Sequence, residues 1–139
     1  FEFGKINVVK SYGDDVALFA SGFIMNRALA ALEQLNKEGI YAKLINVSTI
    51  KPLDSIAVAQ VLKKTGCAVT VEDHNYYGGL SSAICEVAAH YHPCRVIRVG
   101  LRDIYPRSGH PEVLLDAYGL SIEAIVDAAK MAVCEEELI

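Results

Sequence analysis

Short apolar runs alternate with longer segments of helical periodicity along this chain, and that alternation restricts the possible folds more than any other feature. Four runs are predicted to be strands: "VALFA" (16–20), "IYAKLIN" (40–46), "CAVTV" (67–71) and "RVIRV" (95–99). The segments between them have apolar residues at helical spacing. Strands that alternate with helices in this way predict a parallel sheet with helices on both faces. We therefore expect a single α/β domain over residues 1–139.

One further strand is predicted near the start of the chain. The β-branched run "INVV" (6–9) is separated from the strand at 16–20 by only residues 10–15, which include Gly13. A parallel crossover needs a dozen or more residues, so this short connection favours a hairpin. The prediction is thus a mixed five-stranded sheet in a three-layer α/β/α domain, with the first strand antiparallel to the other four.

The helix boundaries carry clear capping signals. Asp54 and Ser121 precede apolar-periodic segments and are predicted N-caps. Gly39 and Gly66 follow such segments and are predicted left-handed C-terminal caps. A short helix is also expected at residues 111–118. The predicted core-facing stripes of the four main helices are Ile24, Ala28, Ala31, Leu32 and Leu35; Ala57, Val58, Val61 and Leu62; Leu80, Ala83, Ile84, Val87, Ala88 and Tyr91; and Ile122, Ile125, Val126, Ala129 and Val133.

Composition excludes several classes of function. With 53% hydrophobic residues and a net charge of −4, the chain is neither disordered nor basic enough for a nucleic-acid partner. No apolar run approaches the roughly 20 residues that span a bilayer, so no membrane partner is expected. The opening "FEFGKINVV" does not have the pattern of a signal peptide.

The four cysteines contain no C-x-x-C pair, and buried free thiols in a cytoplasmic protein are the simplest interpretation. His90, His92 and Cys94 form one metal-like cluster, "HYHPC". No second cluster accompanies it, so a helix end that leads into a strand is the favoured interpretation.

Ionisable residues follow two of the predicted parallel strands. Functional groups of open parallel sheets gather beyond the carboxyl ends of the strands. Glu72, Asp73 and His74 follow "CAVTV", and Arg102 follows "RVIRV". We therefore expect these four residues, together with Gly78 and Gly79 of the turn that follows, at a functional edge or interface. A carboxylate beside a histidine suits general-base chemistry, but adjacent residues in a strand point in different directions.

The "GGLSS" stretch that follows has two possible roles. Backbone N–H groups at a helix start attract anions, but the spacing matches neither a P-loop nor a dinucleotide fingerprint. A sharp turn is the favoured interpretation, with positive φ expected for Gly78 or Gly79. Ser81 and Ser82 open the predicted helix, where serine most often caps. The chain has no G-x-S-x-G nucleophile elbow, and we assign it no catalytic residue.

Taken in order, several longer stretches resemble the C-terminal domain of transketolases. They are "FGKINVVKSYGDDVALFASG", "GIYAKLINVSTIKPLD", "TVEDHNYYGGLSSAICE" and "RVGLRDIYPRSG" followed by "LLDAYGL". The third is similar to a "vE-[ED]-H … GG" stretch that transketolases share with deoxyxylulose-phosphate synthase and the β part of 2-oxo acid dehydrogenases. The resemblance covers essentially the whole chain. It is greatest to transketolases encoded as two separate subunits.

The resemblance implies the same three-layer fold and a parent enzyme that transfers a two-carbon ketol unit between sugar phosphates. It implies thiamine diphosphate and magnesium in the parent, which works as a homodimer. The cofactor motif, "GDG" and a later asparagine, lies in other domains of the family, and no "GDG" occurs here. We therefore expect no cofactor on this chain, and a partnership with the remaining domains or subunit. Because it starts at Phe1 and not at methionine, we expect the chain to be a fragment.

Within that family, Glu72, Asp73 and His74 are expected to support the structure or an interface, and His74 either approaches the active-site mouth or has a structural or dimer role. Two alternatives stay open. One is the C-terminal domain of a 2-oxo acid dehydrogenase β subunit or of deoxyxylulose-phosphate synthase. The other belongs to a different class: a free-standing flavodoxin-like regulatory or ligand-binding module.

Overall fold

A mixed sheet of five strands forms the centre of the molecule. The computed structural model describes residues 5–48, 53–75, 79–101 and 121–134. The predicted short helix at 111–118 lies outside the described residues. In chain order the elements are β1 (Ile6–Ser11), β2 (Val16–Ala20), α1 (Met25–Lys37), β3 (Ala42–Val47), α2 (Ser55–Thr65), β4 (Cys67–Asn75), α3 (Leu80–Tyr91), β5 (Arg95–Leu101) and α4 (Ile122–Val133).

The strand order is β1-β3-β2-β4-β5. β2, β3, β4 and β5 are parallel, and β1 is antiparallel to β3, so the predicted direction of the first strand is confirmed. The predicted hairpin between β1 and β2 is wrong, because β3 lies between them. All five residues of β2 are buried, whereas β1 is largely exposed. Burial on both faces favours β2 at the centre of the sheet and leaves β1 at the edge.

The connection from β1 to β2 passes over the start of β3 and is held there by backbone hydrogen bonds. The N–H of Tyr12 donates to the carbonyl of Ala42 at 2.9 Å, and the N–H of Asp15 donates to the carbonyl of Tyr41 at 3.0 Å. A short connection therefore spans one intervening strand without forming a hairpin turn.

Helices cover both faces of the sheet, which confirms the three-layer prediction. α1 and α4 pack on one face, and α2 and α3 pack on the other. The predicted helical stripes are buried or half-buried with one exception. Tyr91 is 58% exposed, because it is the last residue of α3 and lies beyond the buried part of the helix.

The predicted caps are confirmed at both ends of the helices. Asp54 Oδ1 accepts the N–H of Ala57 at 3.3 Å, and Ser121 Oγ accepts the N–H of Ala124 at 3.1 Å. Gly39 and Gly66 have φ values of 83° and 74°, the left-handed conformation that glycine adopts without strain. Among the residues that the structure describes, no helix has the length and apolar character to cross a membrane.

Candidate functional site at the carboxyl edge of the sheet

The strand order creates a topological switch point between β2 and β4. From β2 the chain passes through α1 to β3 on one side of β2, and later through α2 to β4 on the other side. α1 and α3, which follow β2 and β4, pack on opposite faces of the sheet. In open α/β sheets, ligands bind in the crevice that such a divergence opens at the carboxyl ends of the strands.

The segments that flank this switch point are Ser21-Gly22 after β2 and residues 72–75 at the end of β4. Gly22 has a φ of 76°, so the turn that leaves β2 requires a left-handed residue. Glu72, Asp73 and His74 therefore lie at the carboxyl edge, where the sequence places them. Their functional role stays a prediction.

The pairing of β4 with β5 is irregular at this edge. Val71 is paired with Val99, and the next pair joins Asn75 to Leu101. Three residues of β4, 72–74, thus lie opposite a single residue of β5. An irregularity of this kind redirects side chains and is common beside active sites.

Glu72 is fully buried at the irregular stretch and binds the start of α3. Its Oε2 accepts the N–H of Leu80 at 2.8 Å, and its Oε1 accepts the N–H of Ser81 at 3.1 Å. The first N–H groups of a helix have no partner within the helix and carry partial positive charge, so a carboxylate is a favourable acceptor there. The protein's own carboxylate therefore occupies the N–H groups that the sequence offers to an anion.

The start of α3 differs from the sequence prediction in its N-cap. Gly79 is the N-cap, so Ser81 and Ser82 are not caps but lie inside the helix. Gly79 has φ −100°, which is not a left-handed conformation, and Gly78 lies outside the described residues. Since Glu72 supplies the acceptor, the helix start does not need a serine cap. Positive φ in this turn stays a prediction for Gly78. Arg102 also lies outside the described residues.

A groove of about 650 Å³ lies between α2 and α3 and meets the carboxyl edge at Gly79. A second cavity, of about 490 Å³, lies at the opposite edge of the sheet. The groove is lined by Leu53, Ser55, Gly79, Ser82, Ala83, Glu86, Val87, Ala89, His90 and Tyr91.

No cluster of three or more metal-ligating side chains occurs in the described ranges. α3 ends at Tyr91 and β5 begins at Arg95, so the "HYHPC" stretch joins a helix end to a strand. The four cysteines are free thiols, with Cys67 buried and the other three half-buried.

The role of Glu72 was missed by the sequence prediction, although the sequence contains a signal for it. In a strand, every second residue faces the same side. Counting by two from the buried Ala68 through Thr70 places Glu72 on the same buried face, which α2 and α3 cover. This alternation does not reveal the partner of the carboxylate, because that partner is the backbone of α3.

The fold is a three-layer α/β domain with a switch point at the carboxyl ends of its parallel strands. Domains of this class bind ligands at that point. The sequence of the chain matches the family model "Transketolase, C-terminal domain" over residues 4–125. The chain belongs to the transketolase C-terminal domain family, as the resemblance indicates.

Individual relatives agree with this assignment. The chain is 39% identical over 129 residues to the "6-deoxy-6-sulfo-D-fructose transketolase subunit SqwH" of Clostridium sp. (strain MSTE9), covering 93% of this chain and 40% of that protein. It is 39% identical over 127 residues to a "putative transketolase C-terminal section" of Methanocaldococcus jannaschii, covering 90% of this chain and 39% of the relative. The chain thus spans about two-fifths of the length of these relatives.

A solved structure described as "split gene transketolase, inactive beta4 tetramer" has the same fold. It superposes with a TM-score of 0.89 and 35% identity, over 96% of this chain and 43% of that one.

Proposed function

We propose that this chain is the C-terminal, non-cofactor-binding domain of a transketolase-like enzyme, which transfers a two-carbon ketol unit between sugar phosphates. The observation that carries the proposal is the family match over residues 4–125, in a chain that spans only about two-fifths of the two relatives described above. The remaining domains, or a separate subunit, supply the rest of the active site. The parent enzyme is a homodimer in the cytoplasm.

Thiamine diphosphate and magnesium belong, in this proposal, to the remaining domains. The described residues do not fit a diphosphate and its metal, because Glu72 occupies the N–H groups at the start of α3 and no group of metal ligands accompanies them in the described ranges. The related split-gene structure is described as an inactive tetramer of β subunits. That description supports a domain that requires its partner for activity.

The carboxyl edge is the surface that we assign to active-site support and to the interface with the remaining domains. Its residues are Glu72, Asp73, His74, Gly78, Gly79 and Arg102. Open parallel sheets use this edge for function, and the irregular end of β4 directs residues 72–74 away from the regular ladder. For His74 the proposal keeps two roles, an approach to the mouth of the active site or a structural or dimer role.

Reconstitution with the remaining domains or subunit tests this function. The assembled enzyme, loaded with thiamine diphosphate and magnesium, is expected to transfer ketol units between sugar phosphates, and omission of this chain is expected to abolish transfer. The donor panel includes 6-deoxy-6-sulfo-D-fructose, the sugar in the name of one relative. Parallel assays measure deoxyxylulose-phosphate synthesis and 2-oxo acid decarboxylation. Activity in either of these, without ketol transfer, would overturn the proposal in favour of that enzyme class.

A further inference from the structure

The irregular end of β4 lacks the support that a regular strand receives from its neighbour. Between the pair Val71–Val99 and the pair Asn75–Leu101, residues 72–74 do not follow the ladder of β5. A segment without regular pairing needs another restraint to keep a single conformation, because each free residue retains conformational entropy. The restraint present in the structure is the contact between Glu72 and α3.

The Glu72 carboxylate joins the strand to the helix across the intervening chain. Its two oxygens bind the N–H groups of Leu80 and Ser81, eight and nine residues further on. Both ends of this contact are rigid, since Glu72 and the side chains of Leu80 and Ser81 are buried. The contact therefore fixes the end of β4 and the start of α3 relative to each other.

We infer that Glu72 is a positioning residue: its carboxylate serves as a built-in anion at the start of α3 and holds the end of β4 and the start of α3 in the relative position that the assembled enzyme uses. The inference rests on the proposed function, since that function assigns the carboxyl edge to the active site. Glu72 acts through the strand end and helix start that it joins and not through a contact with substrate. Because it fills the anion site of the helix, the phosphate group of a sugar substrate binds elsewhere.

The first test removes the carboxylate and replaces it from solution. Glu72→Ala is made in the complete enzyme, and the amides of Leu80 and Ser81 are followed by residue-resolved hydrogen exchange. We expect these amides to exchange about 10- to 100-fold faster, because a hydrogen bond to a charged acceptor is lost. The Tm is expected to fall by about 5–10 °C. Sodium formate, a carboxylate small enough for the vacated space, is expected to restore both, whereas sodium chloride at equal ionic strength is not.

Two variants control this test. Glu72→Gln keeps the size of the side chain but offers only one acceptor oxygen, and its amide fills the space that formate would need. We expect intermediate exchange rates and no rescue by formate. Glu86→Ala removes an exposed carboxylate from the same helix and is expected to leave the exchange at Leu80 and Ser81 unchanged.

The second test separates positioning from a purely structural role. At a temperature where all variants are folded, we expect Glu72→Ala to raise the KM for the sugar phosphate more than it lowers kcat, since a displaced carboxyl edge weakens substrate positioning. Formate is expected to restore KM in parallel with amide protection. A variant with fast amide exchange but unchanged kinetics would overturn the positioning role.

The other outcomes are equally decisive. Unchanged exchange in Glu72→Ala would show that the contact is not a restraint, and formate rescue of Glu86→Ala would show a general salt effect; either overturns the inference while the proposed function stands. If the unmodified enzyme transfers no ketol unit, the proposed function is wrong, and the positioning role is wrong with it.

Discussion

Two buried ionisable residues lie at opposite edges of the sheet and are accommodated in different ways. Glu72, at the carboxyl edge, receives two N–H groups from α3. Cys67, at the amino edge, is only 6% exposed, and its thiol donates to the carbonyl of Asp15 at 3.3 Å. Burial raises the pKa of the Cys67 thiol from 9.0 to about 11, with the neighbouring Cys94 adding to the effect. The carboxylate is satisfied by donors, whereas the thiol stays protonated.

The raised pKa of Cys67 predicts a loss of stability in alkaline solution. Between pH 9 and 11 the unfolded chain releases the thiol proton while the folded chain retains it, so the free energy of unfolding decreases as the pH rises. Below pH 9 the contribution is fully present. We expect Cys67 to account for a decrease of about 1 kcal/mol between pH 8 and pH 10. Denaturant unfolding at both pH values measures it.

The matched control for this pH effect is Cys67→Ala. Lysines, tyrosines and the other three cysteines titrate in both proteins, so the difference between the two pH dependences isolates Cys67. Equal slopes in the parent and the variant would contradict the prediction.

At the scale of single residues, local sequence signals were sufficient to predict the helix caps but not the Glu72 contact at the carboxyl edge. Asp54, Ser121, Gly39 and Gly66 act within one turn of their own helix, and all four were predicted correctly. Glu72 acts on a helix start that lies eight residues further along the sequence. Propensities describe contacts within a turn, so they do not reveal such a partner.

Among the elements, β1 shows how an edge strand is protected. Val8 is paired with Ile45 and Lys10 with Leu44, so Val9 is an extra residue in a bulge. Both valines are exposed, at 52% and 44%. A bulge and a charged side chain on an edge strand oppose pairing with another chain. Lys10 also forms an ion pair with Glu33 of α1 at 2.7 Å, which ties the edge to the adjacent helix layer.

The contact between Arg95 and α4 is the basis of a prediction at this scale. Arg95 Nη1 at the start of β5 donates to the carbonyl of Met131, at 3.0 Å, and to that of Cys134, at the end of α4. A cation that binds the last carbonyls of a helix compensates their partial negative charge. Arg95→Met, which keeps much of the aliphatic stem, is expected to lower the free energy of unfolding by about 1–3 kcal/mol.

The same experiment has a control on α4. Lys130 forms an ion pair with Glu38 at 2.7 Å, but both side chains are substantially exposed, and such pairs contribute little. Lys130→Met is therefore expected to unfold at nearly the parent denaturant concentration. The prediction for Arg95 fails if the two variants unfold alike, or if hydrogen exchange in the last turn of α4 does not increase in Arg95→Met.

For the whole molecule, periodicity predicted the layers and the strand directions but not the strand order. The alternation of strands and helices requires helices on both faces, and a short link between β1 and β2 requires opposite directions. It does not require that β1 and β2 pair. The position of β3 between them depends on contacts between residues far apart in sequence, such as Ile6 with Val47. For the same reason, the switch point beside Ser21-Gly22 was not evident from the sequence.

In the proposed enzyme the cofactor belongs to the other domains, and this assignment can be tested on the isolated chain. We expect the 139-residue chain alone not to bind thiamine diphosphate with magnesium. In the described ranges no three metal-ligating side chains come together, and Glu72 already neutralises the start of α3, so a diphosphate would meet a buried carboxylate there. Titration calorimetry of the folded chain, checked by circular dichroism, is the measurement. The enzyme assembled with its remaining domains or subunit is the positive control and is expected to bind the cofactor. Micromolar, magnesium-dependent binding to the chain alone would refute the assignment of the cofactor to the other domains.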